Sequence, residues 1–266
     1  MTVMHLRRFL PLPRHYDKKG MGDIMRKFAF AVSCLVLVTA CSKHDPILPG
    51  DRSAIFDAAR ANVLNTQIEN LPDNISVSDV VACPYRQDSS NIIWDGERKI
   101  FSGFSTPNSV QSNQRPVCDE KYVYAGLTTG ELVKINPKTR VIAWIADVYR
   151  PSNLTGGASI VDIVAPIVVR DDAVYAGGLG DAFCKINATS GNKKWCVNIG
   201  VGVPFIVTDN ASFVVSTDGN LYAIRNSDGA AYWRVAVKKQ VAPTYSNGII
   251  TVGREQFDAH NGKTVD

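Results

Sequence analysis

Six cysteines and four histidines hold most of the chemistry that this 266-residue chain could do. Their spacing excludes much of it. There is no Cys-x-x-Cys, no cysteine–histidine cluster at zinc spacing and no His-Glu-x-x-His, so neither a structural zinc site nor a zinc hydrolase is written into the sequence. His5, His15, His44 and His260 stand far apart, and none is placed to activate a serine or cysteine nucleophile. No residue is therefore given a catalytic or metal-binding role. Cys184 and Cys196 flank a turn centred near Ser190. They can face each other on adjacent strands as a disulfide, or stand as two separate buried thiols. A Cys83–Cys118 bridge is open too, with no geometry to argue for it.

Cys41 belongs to another chemistry. Met25-Arg26-Lys27 precedes an apolar run of 11 residues, Phe28 to Val38, and then Thr39-Ala40-Cys41. A charged start, a short apolar stretch and small residues form a secretory signal over residues 25–40. The run is too short to span about 30 Å of hydrocarbon as a helix. Val38-Thr39-Ala40-Cys41 resembles the bacterial lipobox, whose cysteine becomes the lipidated first residue of the mature chain; the plainer alternative is an ordinary signal peptide with a chance cysteine. Ser42, not Asp, follows Cys41, which by analogy with enterobacterial sorting favours the outer membrane. Several acyl chains on one cysteine make a stable anchor at about 0.8 kcal/mol per buried methylene, and export places the remaining thiols where disulfides form.

Around that signal the chain divides into four. Residues 1–24 have no coherent periodicity and read as an extension from an over-extended start codon. Residues 25–40 are the signal, and residues 41–83 a lipidated tether and N-terminal segment. Within the last, Asp51 to Leu64 reads equally as an amphipathic helix capped by Asp51 or as an extended segment completing a sheet. Residues 84–266 carry the folded repeats. Residues 1–24 contribute a net +3 and Arg26 with Lys27 a further +2, so the formal +4 of the whole becomes −1 for residues 41–266. No basic patch is left to argue for nucleic acid.

The elements come from a repeat. Val123-Tyr124-Ala125-Gly126 leads through Gly130 and Ile135 to Trp144; Val174-Tyr175-Ala176-Gly177 through Asp181 and Ile186 to Trp195; Phe213-Val214-Val215-Ser216 through Gly219 and Ile224 to Trp233. In every copy the aliphatic follows the turn by 5 residues and the Trp follows it by 9. Pro116, Pro166 and Pro204 open the units, and a shorter copy runs from Pro243 through Phe257 and Gly262, its Trp position falling on Asp266. Runs of Val, Ile, Tyr and Phe broken by Gly, Asp and Asn are strands and tight turns, with Gly130 and Gly219 where a hairpin needs positive φ. No crossover-helix periodicity separates them, so a parallel α/β sheet is excluded. Self-similarity of this size means stacked units, and four-stranded units at this spacing are β-propeller blades. The chain reads as all-β, with residues 84–115 forming an imperfect first blade and the three Trp residues packing between neighbouring blades.

These repeats resemble the PQQ-type propeller repeat, and the whole arrangement resembles the BamB family of outer-membrane assembly lipoproteins. The residues carrying the likeness are the Val38–Cys41 lipobox, Leu48-Pro49-Gly50-Asp51-Arg52, Ala165-Pro166-Ile167-Val168-Val169 through to Lys194-Trp195, and Asn220-Leu221-Tyr222-Ala223-Ile224. The family fold has eight blades; about four to five are recognisable here, which reads as truncation or a smaller array. The quinone enzymes that share the repeat use a vicinal Cys-Cys pair, absent from this chain, so no PQQ and no other cofactor is expected.

The resemblance implies a non-catalytic scaffold at the outer membrane, lipid-anchored and facing the periplasm. Its partner would be the periplasmic domains of the BamA-type barrel insertase. The matching contact segment is the longest inter-repeat insertion, Tyr149 to Asp162, which makes the Trp144–Trp195 spacing 51 where Trp195–Trp233 is 38. Arg150, Leu154 and Asp162 are its candidate contacts. The alternative is an envelope lipoprotein of the same fold that binds cell wall or carbohydrate.

Overall fold

In a computed structural model the chain divides into two units, Met1–Ser53 and Ala54–Asp266. The structure describes residues 61–73, 83–106, 109–110, 115–149 and 160–265, all in the second unit. The signal segment and Cys41 lie outside the described residues.

No helix occurs among the described residues; every sheet is an antiparallel meander, as the repeat predicts. The first blade has three strands: β1 (Arg86–Gln87), β2 (Ile92–Asp95) and β3 (Arg98–Ser102). The second has four: β4 (Val117–Cys118), β5 (Val123–Gly126), β6 (Glu131–Asn136) and β7 (Val141–Asp147). So does the third: β8 (Val168–Arg170), β9 (Ala173–Gly178), β10 (Ala182–Asn187) and β11 (Lys193–Val197). The fourth comprises β12 (Ile206–Val207), β13 (Ala211–Val215), β14 (Asn220–Arg225) and β15 (Ala231–Ala236). The fifth comprises β16 (Thr244–Ser246), β17 (Ile249–Val252) and β18 (Glu255–Asp258). Among the described residues these are five β-propeller blades in sequence.

The central strands of blades 2, 3 and 4 read as unbroken apolar runs because both faces of these blades are covered. On β5, Val123 and Ala125 pack toward Ile93 and Ile100 of blade 1. Tyr124 joins Val174, Ala176 and Ile186 of blade 3. The period-2 alternation of a strand thus sorts residues between two interfaces, and the core is a series of slabs between consecutive blades.

One lock repeats across those slabs. Trp144 Nε1 donates to Ala188 O at 3.1 Å, Trp195 Nε1 to Asn226 O at 3.0 Å and Trp233 Nε1 to Ala259 O at 3.2 Å. Each acceptor starts the last turn of the following blade, and each turn ends in a glycine with positive φ, at Gly191, Gly229 and Gly262. A Cβ on these glycines would stand 2.6, 3.0 and 2.6 Å from the docked Trp ring. A β-bulge beside each Trp, at Lys134/Ile135, Lys185/Ile186 and Ala223/Ile224, adds the local bend that presents the indole to the next blade. Lys134 Nζ and Lys185 Nζ, at matching repeat positions, donate to the same carbonyls at 2.7 and 3.0 Å. Burial of the aliphatic stem and Tyr122 at 4.0 Å from the Lys134 ammonium accompany that placement.

Both cysteine pairs are disulfides. Cys184 and Cys196 are direct cross-strand partners on β10 and β11. Cys83 bonds Cys118 across 35 residues, tying the chain before β1 to β4 of the next blade. The described part of the N-terminal segment is extended. Leu64 N–H donates to Ala231 O and Ala231 N–H to Asn62 O, both at 2.8 Å, so the segment adds in parallel to the outer edge of β15. Ile68 N–H then reaches His260 O at 2.9 Å, and Asn247 N–H reaches Asp73 O at 2.7 Å. One strap therefore crosses blades 4 and 5.

Candidate docking site

The longest connection runs from β7 to β8, and its described ends show how it is held. Val148 N–H donates to Gly130 O at 2.7 Å, Ile163 N–H to Leu127 O at 3.2 Å, and Leu179 N–H to Asp162 O at 2.9 Å. These bonds are reachable because glycines line the seat. A Cβ on Gly126 would stand 2.5 Å from Ile163, one on Gly178 2.5 Å from Asp162 O, and one on Gly180 2.7 Å from Tyr149. Gly126, which ends the first Val-Tyr-Ala-Gly motif, thus serves the connection as well as its strand.

Asp162 is the post at its base. The side chain is 2% exposed. Its Oδ2 accepts Val110 N–H at 2.7 Å, while Oδ1 has no hydrogen-bond partner. Burial pushes its carboxyl above the usual carboxylate range, partly offset by the Val110 N–H. The structure places the carboxylate of Asp162, one of the expected partner contacts, facing into the protein, where it ties this connection to the one between β3 and β4. Desolvation explains the choice, because a buried carboxyl is held only where an N–H is aimed at it. Arg150 and Leu154, the other two expected contacts, lie outside the described residues.

The β3–β4 connection is pinned from a second side. Asn91, fully buried with φ of 60°, donates through Nδ2 to Phe104 O at 2.5 Å and to Thr128 Oγ1 at 2.8 Å, and accepts Thr128 N–H at 2.9 Å. Phe104, Val110 and Ile160, on the two connections, are 83%, 41% and 41% exposed. Apolar side chains on backbone fixed from below are what a protein partner docks on. Asn91, Phe104 and Val110 were not singled out from sequence. Asn91 sits in a run of Asp, Ser and Asn that reads as an ordinary turn, and only the long-range bonds reveal its role.

Trp144, Trp195 and Trp233 are structural, each buried in a blade interface. No group of three His, Cys, Asp or Glu among the described residues is placed to hold a metal ion. Cys83, Cys118, Cys184 and Cys196 are all used in disulfides, between residues 35 and 12 apart in sequence.

A family model described as outer membrane protein assembly factor BamB matches residues 70–235 and 186–264. The outer membrane protein assembly factor BamB of Alkalilimnicola ehrlichii is 23% identical over 126 residues, covering 47% of this chain and 33% of that protein. Among solved structures, BamB of Moraxella catarrhalis superimposes with a TM-score of 0.48 at 16% identity, over 76% of this chain and 63% of that one. A quinohemoprotein alcohol dehydrogenase from Pseudomonas putida HK5 does so with a TM-score of 0.49 at 14% identity, over 68% and 40%. The chain thus spans about a third of the curated relative's length.

Proposed function

We propose a role for this chain from one premise: it belongs to the family of the outer membrane protein assembly factor BamB. The observation that carries the reading is the family match across residues 70–264. On it we assign a non-catalytic scaffold that works in outer-membrane protein assembly, binding the periplasmic part of the barrel insertase. The protein would face the periplasm, anchored in the outer membrane through lipid on Cys41, and would use no cofactor. The blades support a scaffold in physical terms. Trp locks fix blades 2 to 5 one to the next, and the two connections carrying Phe104, Val110 and Ile160 are bonded to that frame through Asn91 and Asp162. Docking then orders little backbone, which keeps the entropic cost of association low. Carbohydrate binding would call for a cluster of exposed rings; among the described residues Phe104 alone is a large aromatic with most of its surface free.

The contact is assigned to the β7–β8 connection, with Arg150 and Leu154 reaching the partner and Asp162 holding the base. Capture of the detergent-solubilised, full-length chain from its native envelope tests this. Wild type should recover the barrel insertase, and Leu154→Ala and Arg150→Glu should recover roughly tenfold less, since one truncated anchor in an interface removes about 1–2 kcal/mol. A folded wild-type protein that recovers no insertase would end the assembly role for this chain.

A further inference from the structure

We propose that β7 is a self-pairing edge through which two copies of this chain join antiparallel. Blades 2, 3 and 4 each end in a strand that carries the docking Trp, yet their outer edges differ. β11 reads Lys-Lys-Trp-Cys-Val, with Lys193 and Lys194 exposed, and charged edge residues block pairing with another chain. The start of β15, at Ala231 and Tyr232, is already paired by the parallel segment around Val63. β7 reads Val-Ile-Ala-Trp-Ile-Ala-Asp. Val141, Ile142 and Ile145 are 61%, 43% and 46% exposed, and β7 pairs with β6 alone among the described strands.

The backbone of this edge faces outward. Val148 N–H is bonded to Gly130 O across the β6–β7 pair. By the two-residue alternation of an antiparallel ladder, Asp147 and Ile145 then present their N–H and C=O groups away from β6. An apolar strand whose outward backbone groups have no strand partner among the described residues is a template for another strand. The contrast with β15 shows what such an edge takes in this fold, an extended segment bonded through the backbone.

Charge selects the occupant and its direction. Arg140 stands at one end of β7 and Asp147 at the other, both exposed, and neither has an ion-pair partner among the described residues. Two β7 strands running antiparallel bring Arg140 of one copy to the Asp147 end of the other, and Val141 toward Ile145 of the other. A parallel pair would set like charges side by side. A second copy therefore brings the matching charges and the matching apolar residues with it, and the contact closes with two-fold symmetry. Seven residues span about 23 Å, less than a standard interface, so the dimer is expected to form with a dissociation constant of about micromolar or weaker.

Sedimentation velocity of the full-length chain in detergent, over a concentration series, tests the proposal. Wild type should show a concentration-dependent monomer–dimer equilibrium. Ile145→Lys should raise the dissociation constant about tenfold or more by charging the edge. Arg140→Asp should raise it roughly two- to tenfold, and adding Asp147→Arg to that variant should restore it. Unchanged thermal unfolding of these exposed-site variants confirms that they are folded. A wild type that stays monomeric throughout, or a dimer indifferent to Ile145→Lys and to the charge swap, overturns the proposal.

Discussion

The Trp locks and the β7–β8 connection use the same two devices, a glycine that lets another segment come close and a backbone carbonyl or amide bonded across the gap. They differ in repetition. The lock occurs three times with donor–acceptor distances between 3.0 and 3.2 Å, always from an outer strand to the last turn of the following blade. The connection occurs once, and its fixed point is a buried carboxylate, the least economical hydrogen-bond acceptor to bury. Repetition marks the frame. A single, desolvated polar contact beneath exposed apolar residues marks a segment held in place for something other than the fold.

Breaking a lock should have the largest effect. Trp195→Ala removes a ring packed between Tyr175, Phe183 and the Gly229 turn and is expected to destabilise by about 3–5 kcal/mol, read as a lower denaturant midpoint. Lys185 still donates to Asn226 O, so that carbonyl is not orphaned and the loss is one of packing. The next effect separates the two functions of the turn glycines. Gly191→Ala meets positive φ and a Trp ring at 2.6 Å, whereas Gly219 has φ of 81° and nothing within 4 Å of a built Cβ. Gly219→Ala should cost about 1–2 kcal/mol for the left-handed backbone alone, and Gly191→Ala about 1–3 kcal/mol more for overpacking. Equal losses at the two positions, measured by chemical unfolding, would mean that the ring contact is not what selects glycine.

How legible these parts were follows from the same division. The repeats, the glycine turns and the inter-blade Trp residues were readable because each depends on residues close in sequence or on a pattern printed several times, whereas spacing could set Cys184 opposite Cys196 but left bridge and separate thiols both open. The Cys83–Cys118 bridge was not readable, since it depends on blade 1 lying beside β4, a consequence of stacking that no local spacing records. The segment ending at Leu64 read equally as helix or strand; an available edge on β15 decides it for residues 62–64. Arg140, Asp147 and β7 were read only as part of a repeat, because edge chemistry becomes visible when equivalent strands are laid beside one another. Asp162 was picked out by its position before Pro166, but the inward turn of its carboxylate was not. An acidic residue in a polar loop reads as exposed, and only Val110 N–H, 52 residues away, explains why it turns inward.

That inward turn gives the smallest effect and the sharpest test of the comparison. Several aspartates here have the ordinary sign. Burial alone would raise the Asp119 carboxyl, but hydrogen bonds from Lys121 N–H, Tyr124 O–H and Tyr122 N–H outweigh it and hold the group below the usual range. Asp88 and Asp218 behave likewise, with burial again outweighed by hydrogen bonds. Their stabilisation is present above the unfolded carboxyl pKa of about 3.9 and is lost as pH falls through the depressed folded values. Asp162 has the opposite sign. Its folded pKa is raised, so its contribution is complete below the unfolded pKa and is lost as pH rises through the folded one. The whole protein should therefore weaken in acid, while the difference between wild type and Asp162→Asn should move toward wild type over the same range. At neutral pH the neutral amide keeps an acceptor for Val110 N–H without a desolvated charge, so the variant should equal or exceed wild type in stability. Denaturant midpoints of the two proteins at neutral pH and near pH 4 measure this. A difference that does not change with pH would mean that Asp162 is solvated, and would remove the distinction drawn between the connection and the frame.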